Sequence, residues 1–278
     1  MRAVSELRIG TMGWSYPDWV GPFYPEGSRT ADFLREYARV FDCVELDTTF
    51  YGIPRPATVR TWNANTPPNF RFAAKLPKEI THEKYLRDSA GPLHRFLEGM
   101  APLGEKLGPI LIQLPPDFHA TEDDREALDA FLRLLPAEYQ FAAEFRHRSW
   151  LTDDTLDRLR QHGVAWTMID MYYMPRRLDV TSDFTYVRLL GDRRKIQTVD
   201  RVVVDRTPEL QGRADVFGRI SSEVRQTWVF VNNHYAGHSP ATVRQLRRML
   251  GLPPDAAADD PFRPEPVPDE AEQPRLPL

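Results

Sequence analysis

The chain has 278 residues, 41% hydrophobic and 27% charged, an ordinary globular composition with room for one large domain or two small ones. No apolar run approaches the roughly 18–20 residues that span a bilayer, and Met1 to Leu7 hold no apolar signal core, so a soluble, cytoplasmic protein with no membrane partner is expected. Net charge is −4, but residues 251–278 carry seven acids against two bases; the remaining body is almost neutral, which does not favour nucleic acid as a partner.

Runs rich in β-branched, aromatic and aliphatic residues recur at Leu7–Gly13, Cys43–Tyr51, Phe70–Leu76, Ile110–Leu114, Phe141–Phe145, Ala165–Asp170, Thr185–Leu190 and Trp228–Asn232, which predicts eight strands. Segments with 3.6-residue periodicity alternate with them, among them Ala31–Phe41, Leu93–Leu107, Arg125–Leu135, Thr155–His162 and Thr242–Leu250. Thr121, Thr152 and Ser239, the last followed by Pro240, read as helix N-caps. The lone cysteine, Cys43 in FDCVEL, reads as a small buried apolar side chain, because no basic neighbour is there to lower its pKa.

Alternating strands and helices imply parallel strands with right-handed crossovers. Eight units close into a single α/β domain over residues 1–250, a (β/α)8 TIM-type barrel. A doubly wound open sheet is the rival, yet no G-x-G-x-x-G follows the first strand and no P-loop occurs. Between Asp170 and Phe184 the stretch MYYMPRRLDVTSD is short and broken by Pro, so the sixth helix is expected to be missing. From Gly251 onward eight of 28 residues are Pro and acids dominate, which predicts a disordered tail.

Barrel strands aim their C-terminal ends at one face, where polar residues are functional candidates. The second strand, CVELDTTFY, alternates to put Glu45, Asp47 and Thr49 inward. Lys75 ends the third strand, Gln113 the fourth and Asp170 the sixth; Arg188 lies on the seventh. The fifth, FAAEFRHRSW, offers Glu144 and Arg146 inward with His147 and Trp150 following, and the eighth ends at Asn232, Asn233 and His234. Buried charges must be paired or hold an ion, so either an internal ion-pair network or a ligand site is expected. Charge alone does not fill a barrel normally packed with Val, Ile and Leu, which favours the ligand site.

A metal is the competing occupant, with Glu45, Asp47, Glu144, Asp170 and His147 as donors for Mg²⁺, Mn²⁺ or Zn²⁺. Lys75, Arg146 and Arg188 neutralise the same carboxylates without an ion, and His234 and His238 in HYAGH lack a helical setting, so no metal ligand is assigned. Trp14, Tyr16 and Trp19 after the first strand, Phe50 and Tyr51 after the second and Trp150 after the fifth suggest an aromatic collar that would stack on a ring. His82 in ITHEKYL follows the third strand and reads either as a ligand-binding residue above the pocket or as a solvated loop histidine. Glu45 and Glu144 could flank a glycosidic bond. Gln113 and Arg188, however, stand where the barrel-glycosidase layout requires Glu.

These same positions sit in eight ordered runs: IGTMGWSYPDW, FYPEG, VELDTTFYGIP, FRFAAKLPKEITH, LGEKLGPILIQLPP, AAEFRHRSW, YVRLLG and FVNN. Together they resemble the YecE-like family, domain of unknown function 72, across roughly Arg8 to Leu250. The resemblance implies a TIM-type barrel and a site at Trp14, Glu45, Phe50, Tyr51, Lys75, His82, Gln113, Glu144, Arg146, His147, Trp150, Arg188 and Asn232. The sequence departs from the family pattern at Asp47, Leu190 and His234. At fold level the barrel is also similar to endonuclease IV and xylose isomerase, which raises metal-assisted phosphodiester hydrolysis as an alternative by analogy.

The expected function is an enzyme acting on a small polar, anionic ligand bearing phosphate or carboxylate, with nucleotide-like ligands included in that class. Lys75, Arg146 and Arg188 are expected to clamp the anion, and Glu45 and Glu144 to transfer protons. Nucleotide or nucleic-acid binding without catalysis is the second reading. No motif sets the oligomeric state.

Overall fold

The computed structural model describes residues 6–255. Residues 1–5 and 256–278, the latter most of the expected Pro-rich tail, lie outside that range. Eight parallel strands close in chain order into a barrel: β1 Glu6–Met12, β2 Cys43–Leu46, β3 Arg71–Lys75, β4 Leu107–Gln113, β5 Phe141–Glu144, β6 Ala165–Met171, β7 Phe184–Gly191 and β8 Gln226–Val231. Around them run α1 Phe33–Ala38, α2 Pro56–Ala64, α3 Ala90–Met100, α4 Glu122–Leu132, α5 Asp153–Gln161, α6 Thr207–Ser221, α7 Asn233–Ala236 and α8 Ser239–Met249. No helix among the described residues is long and apolar enough to cross a membrane.

Period-two alternation divides each strand between two cores. Met12, Cys43, Ala73, Leu111, Ala142, Ala165, Phe184, Tyr186, Trp228 and Phe230 pack against one another inside the barrel. The alternate residues, such as Val44, Phe72, Ile112, Ala143, Trp166 and Val229, join the helices in the outer core. This apolar layer separates the charged residues at the C-terminal strand ends from a second charged group at the other end of the barrel, where Arg8 lies over Trp228 and pairs with Glu6. Cys43 is buried in that layer, where loss of water drives its thiol pKa well above the usual value. Gly10 lets β1 come close to β2, since a Cβ there would collide with the Cys43 carbonyl.

No helix joins β6 to β7, as the Pro-broken sequence predicts. Thr181 ties this connection down: its hydroxyl accepts from the Trp166 amide and donates to the Val164 carbonyl, both at 2.7 Å. The N-caps at Thr121 and Thr152 are present, each accepting from the amide three residues on. The third is displaced by one residue. His238 occupies the cap position of α8, while Ser239 donates to Asn233 Oδ1 at 2.8 Å.

The second strand is shorter than its hydrophobic run. It stops at Leu46 because Thr48–Phe50 curl into a 3-10 turn, pinned where the Thr49 hydroxyl meets the carbonyls of Leu46 and Lys75 at 2.9 and 2.6 Å. Thr49 therefore does not continue the inward face. Two helices, α2 and α6, appear where the sequence shows no strong periodicity. The span expected as one helix from Leu93 to Leu107 instead breaks into α3 and a 3-10 segment, with Gly104 at φ 54°.

Candidate functional site

Register sets the site. Glu45 on β2 pairs with Ala73 on β3, which places Lys75 one inward step nearer the mouth, and Gln113 pairs with Glu144 across β4 and β5. Opposite them, Arg188 shares the inward face of β7 with Tyr186. Glu45 and Glu144 are fully buried, and Arg188, Gln113 and Lys75 nearly so.

Arg188 is the hub. Its Nε and Nη2 donate to the two Glu45 oxygens at 3.0 and 2.8 Å, and Nη1 donates to Glu144 Oε2 at 2.8 Å. Nη2 also lies 3.4 Å from Asp47 Oδ1. The remaining Glu144 oxygen accepts from Arg146 Nε, and Tyr186 donates its hydroxyl to Glu45 Oε2 at 2.6 Å. This planar fork satisfies two carboxylates at once, a geometry only arginine offers.

The two glutamates diverge in acidity. Burial pushes Glu45 up to about 7, with Arg188 opposing and the Asp47 charge adding to the rise. Burial acts on Glu144 too, but Arg146 and Arg188 outweigh it and hold that carboxyl at about 2. Tyr16, whose hydroxyl donates to the Met12 carbonyl at 2.9 Å, is raised to about 12 by burial and then by Asp47 and Glu45.

Lys75 stands apart. Among the described residues its ammonium makes no ion pair and no hydrogen bond; Nζ lies 3.8 Å above the centre of the Phe50 ring. Burial and then Arg188 lower it to about 8, against the pull of Asp47, Glu144 and Glu45. His82, carried on a π-helical turn, Glu79–Glu83, meets the same Phe50 ring edge-on at 4.8 Å. Burial and then Lys75 push His82 down to about 4, so its imidazole is neutral.

Other expected site residues lie at the edge of this cluster or outside it. Gln113 turns back to donate to the Leu114 carbonyl at 2.7 Å. Asn232 accepts from the His234 amide and points its Nδ2 at Met12 Sδ. Tyr51 is 78% exposed beyond Phe50. His147 hydrogen-bonds Ser149 and stacks on His119 with ring centres 3.9 Å apart.

Three expectations are corrected. Asp170 does not face the barrel axis: Ala165 fixes the inward parity of β6, so Asp170 points outward, where Arg176 and Arg213 clasp it at 2.9 and 2.8 Å. Trp150 is fully buried, stacked on Phe118 and Phe145 and donating to the Phe118 carbonyl at 2.8 Å. Trp14 packs edge-on against Trp62 and Phe72 of the outer core. Of the expected aromatic collar, Phe50 lies against Lys75 with Tyr51 on its far side, and His82 joins them at the Phe50 edge. Of the metal donor set, Glu45, Asp47 and Glu144 face Arg188 while Asp170 points away, and among the described residues no three His, Cys, Asp or Glu side chains are grouped to hold an ion.

Tyr186 escaped the sequence reading although its signal was present. In TYVRLL it sits two residues before Arg188 and must share that residue's face.

A family model described as "Protein of unknown function DUF72" matches residues 8–268. The UPF0759 protein YecE of Escherichia coli K12 is 37% identical over 169 residues, 59% of this chain and 59% of its own length. The UPF0759 protein YunF of Bacillus subtilis 168 is 29% identical over 177 residues, covering 59% of this chain and 60% of its own. The chain thus spans under two thirds of the length of the curated relatives it matches. A DUF72 family protein of Thermotoga maritima MSB8 superimposes with a TM-score of 0.78 at 30% identity, covering 88% of this chain and 99% of that one. A DUF72 family protein of Enterococcus faecalis V583 shares the fold, with a TM-score of 0.73 at 24% identity, over 88% and 96% of the two chains.

Proposed function

Because this chain belongs to the DUF72 family and its polar residues converge on one end of the barrel, we propose that it is an enzyme acting on a small polar ligand that carries a phosphate or carboxylate group. The observation that carries this reading is Lys75, a nearly buried amine with no carboxylate partner among the described residues. An ion network built only for stability would pair it or replace it by an apolar side chain, because an unpaired buried charge is expensive. An incoming anion supplies the missing partner. Arg146, tied to Glu144 through Nε alone, has further N–H groups to offer beside it.

Glu45 is the proton carrier in this reading. A carboxyl near 7 is present in both forms at neutral pH, which is what general acid–base catalysis requires. Glu144, held near 2, stays ionised; it suits the task of orienting Arg188 and Arg146 rather than that of donating protons. A nucleotide-sized ligand is served less well, since Trp14 and Trp150 are engaged in packing.

Native mass spectrometry of the purified protein tests the reading. A copurified small anion, lost in Lys75→Met, is the expected result. An empty protein whose melting temperature is unmoved by inorganic phosphate, pyruvate or citrate overturns it.

A further inference from the structure

We infer that the Lys75 amine is a nucleophile that forms an imine with a carbonyl carbon of the ligand, so that the substrate class is a small keto or aldehydo compound bearing an anionic group. The inference rests on the small-anion reading of the same site and adds a second functional group to the ligand.

The chain has five lysines, and the other four are not placed for this. Lys78 is paired with Glu83 at 2.8 Å. Lys106 donates to the carbonyls of Asn63 and Thr66 at 2.6 and 2.7 Å. Lys84 and Lys195 lie on the loops after β3 and β7, Lys195 exposed. Lys75 alone is inside the barrel, on a strand end, where the backbone fixes its Cα rigidly.

The surroundings do not lock it as an ammonium. Glu45 has both oxygens on Arg188 and one on Tyr186, and Glu144 is divided between Arg188 and Arg146; Asp47, the carboxylate whose charge favours the Lys75 ammonium most, also faces Arg188, at 3.4 Å, and makes no ion pair with Lys75 among the described residues. One side of Nζ is covered by the face of Phe50, which keeps water off although its π electrons attract an ammonium; burial and the nearby Arg188 charge act the other way and outweigh it. An apolar wall and a neighbouring cation are the two conditions that activate a lysine as a nucleophile.

In the reaction, the neutral Nζ lone pair attacks the carbonyl carbon. The C–N bond forms as the carbonyl π pair moves to oxygen, which takes up a proton. The nitrogen loses a proton to give a neutral carbinolamine. Protonation of its hydroxyl then releases water, and the nitrogen lone pair closes the C=N bond to leave an iminium. Glu45, one inward step below Lys75 by register, is the group suited to relay these protons. Arg146 holds the anionic end. No oxidant or reductant is consumed.

Trapping tests the inference on the full-length wild-type protein. Pyruvate serves as the probe carbonyl acid and sodium borohydride reduces any imine to a stable secondary amine, which is then mapped by peptide mass spectrometry. At pH 7 an amine near 8 holds on the order of a hundredfold more neutral form than an ordinary lysine. The expected result is one adduct per chain, on Lys75, formed at least about tenfold faster than on Lys84 or Lys195. Lys75→Arg should abolish the adduct while keeping the rise in melting temperature that pyruvate produces. Adducts spread over Lys84 and Lys195 with none on Lys75 overturn the inference. In that case a pyruvate-induced rise in melting temperature leaves the small-anion reading standing, and no rise removes both.

Discussion

Glu45 and Glu144 are bound by the same guanidinium, each with an oxygen 2.8 Å from an Arg188 nitrogen, yet they titrate in opposite directions. Arg188 cannot be the cause of the difference, since both share it. The cause is the second neighbour: Glu144 has Arg146 as well, whereas Glu45 has the like charge of Asp47. Two carboxyls whose surroundings drive them apart divide the roles of ionised anchor and proton carrier.

Glu45 is raised from 4.5 to about 7 in the fold, so the folded state holds its proton more tightly than the unfolded chain does. Its contribution is most favourable below about pH 4.5 and is lost as pH rises through about 7. Glu45→Gln removes that loss. Denaturant unfolding should show the variant gaining on the wild type by roughly 3 kcal/mol between pH 5 and 8. A difference that does not change with pH would mean that Glu45 titrates normally. His82 and His238, lowered to about 4 by burial, add a slope of the opposite sign below pH 6.5 in both proteins, and this cancels in the comparison.

Arg188→Met strands two buried carboxylates. Loss of one partner of a buried pair costs about 3–5 kcal/mol, so the melting temperature should fall steeply at pH 7. Because protonation relieves a carboxylate left without its cation, the deficit should shrink at pH 5. An equal deficit at both values would place the damage in packing and not in charge.

Asp170→Asn separates the outer ion cluster from the site. Arg176 and Arg213 lose the charge of their shared partner, and unfolding should show a loss of roughly 1–3 kcal/mol. Pyruvate or phosphate should raise the melting temperature as much as in the wild type. A variant that folds well but no longer responds to either anion would return Asp170 to the site.

Trp150→Ala should behave as a core deletion. The indole is fully buried between Phe118 and Phe145, and its removal should cost about 3–5 kcal/mol. Anion response per folded molecule, measured by calorimetric titration at a temperature where the variant is folded, should be unchanged.

Asp170 lies at the end of a strand in sequence and Trp150 follows one, yet position at a strand end does not say which way a side chain points. Parity was available for Asp170, five residues after the inward Ala165 and so on the opposite face. Trp150 follows a strand, so no alternation governs it; a 3-10 turn, Arg148–Trp150, turns it into the outer core. The same limit applies to Asp47 and Thr49, where the strand had already ended.

The barrel itself was determined by the sequence, because eight apolar runs separated by helical periodicity leave few ways to bury every strand on both faces. Composition at the strand ends likewise determined that Glu45, Lys75, Glu144, Arg146 and Arg188 would share one end of the barrel, since alternation and a shared direction point them all at one axis. Which charge neutralises which was decided only in three dimensions. Coulomb interactions and burial depend on distances across the barrel, between residues such as Glu45 and Arg188 that lie 143 positions apart, and no local pattern encodes them. The tertiary structure therefore made Arg188 the hub, shifted Glu45 and Glu144 to opposite sides of the ordinary carboxyl value, and left Lys75 a buried cation without a carboxylate partner among the described residues.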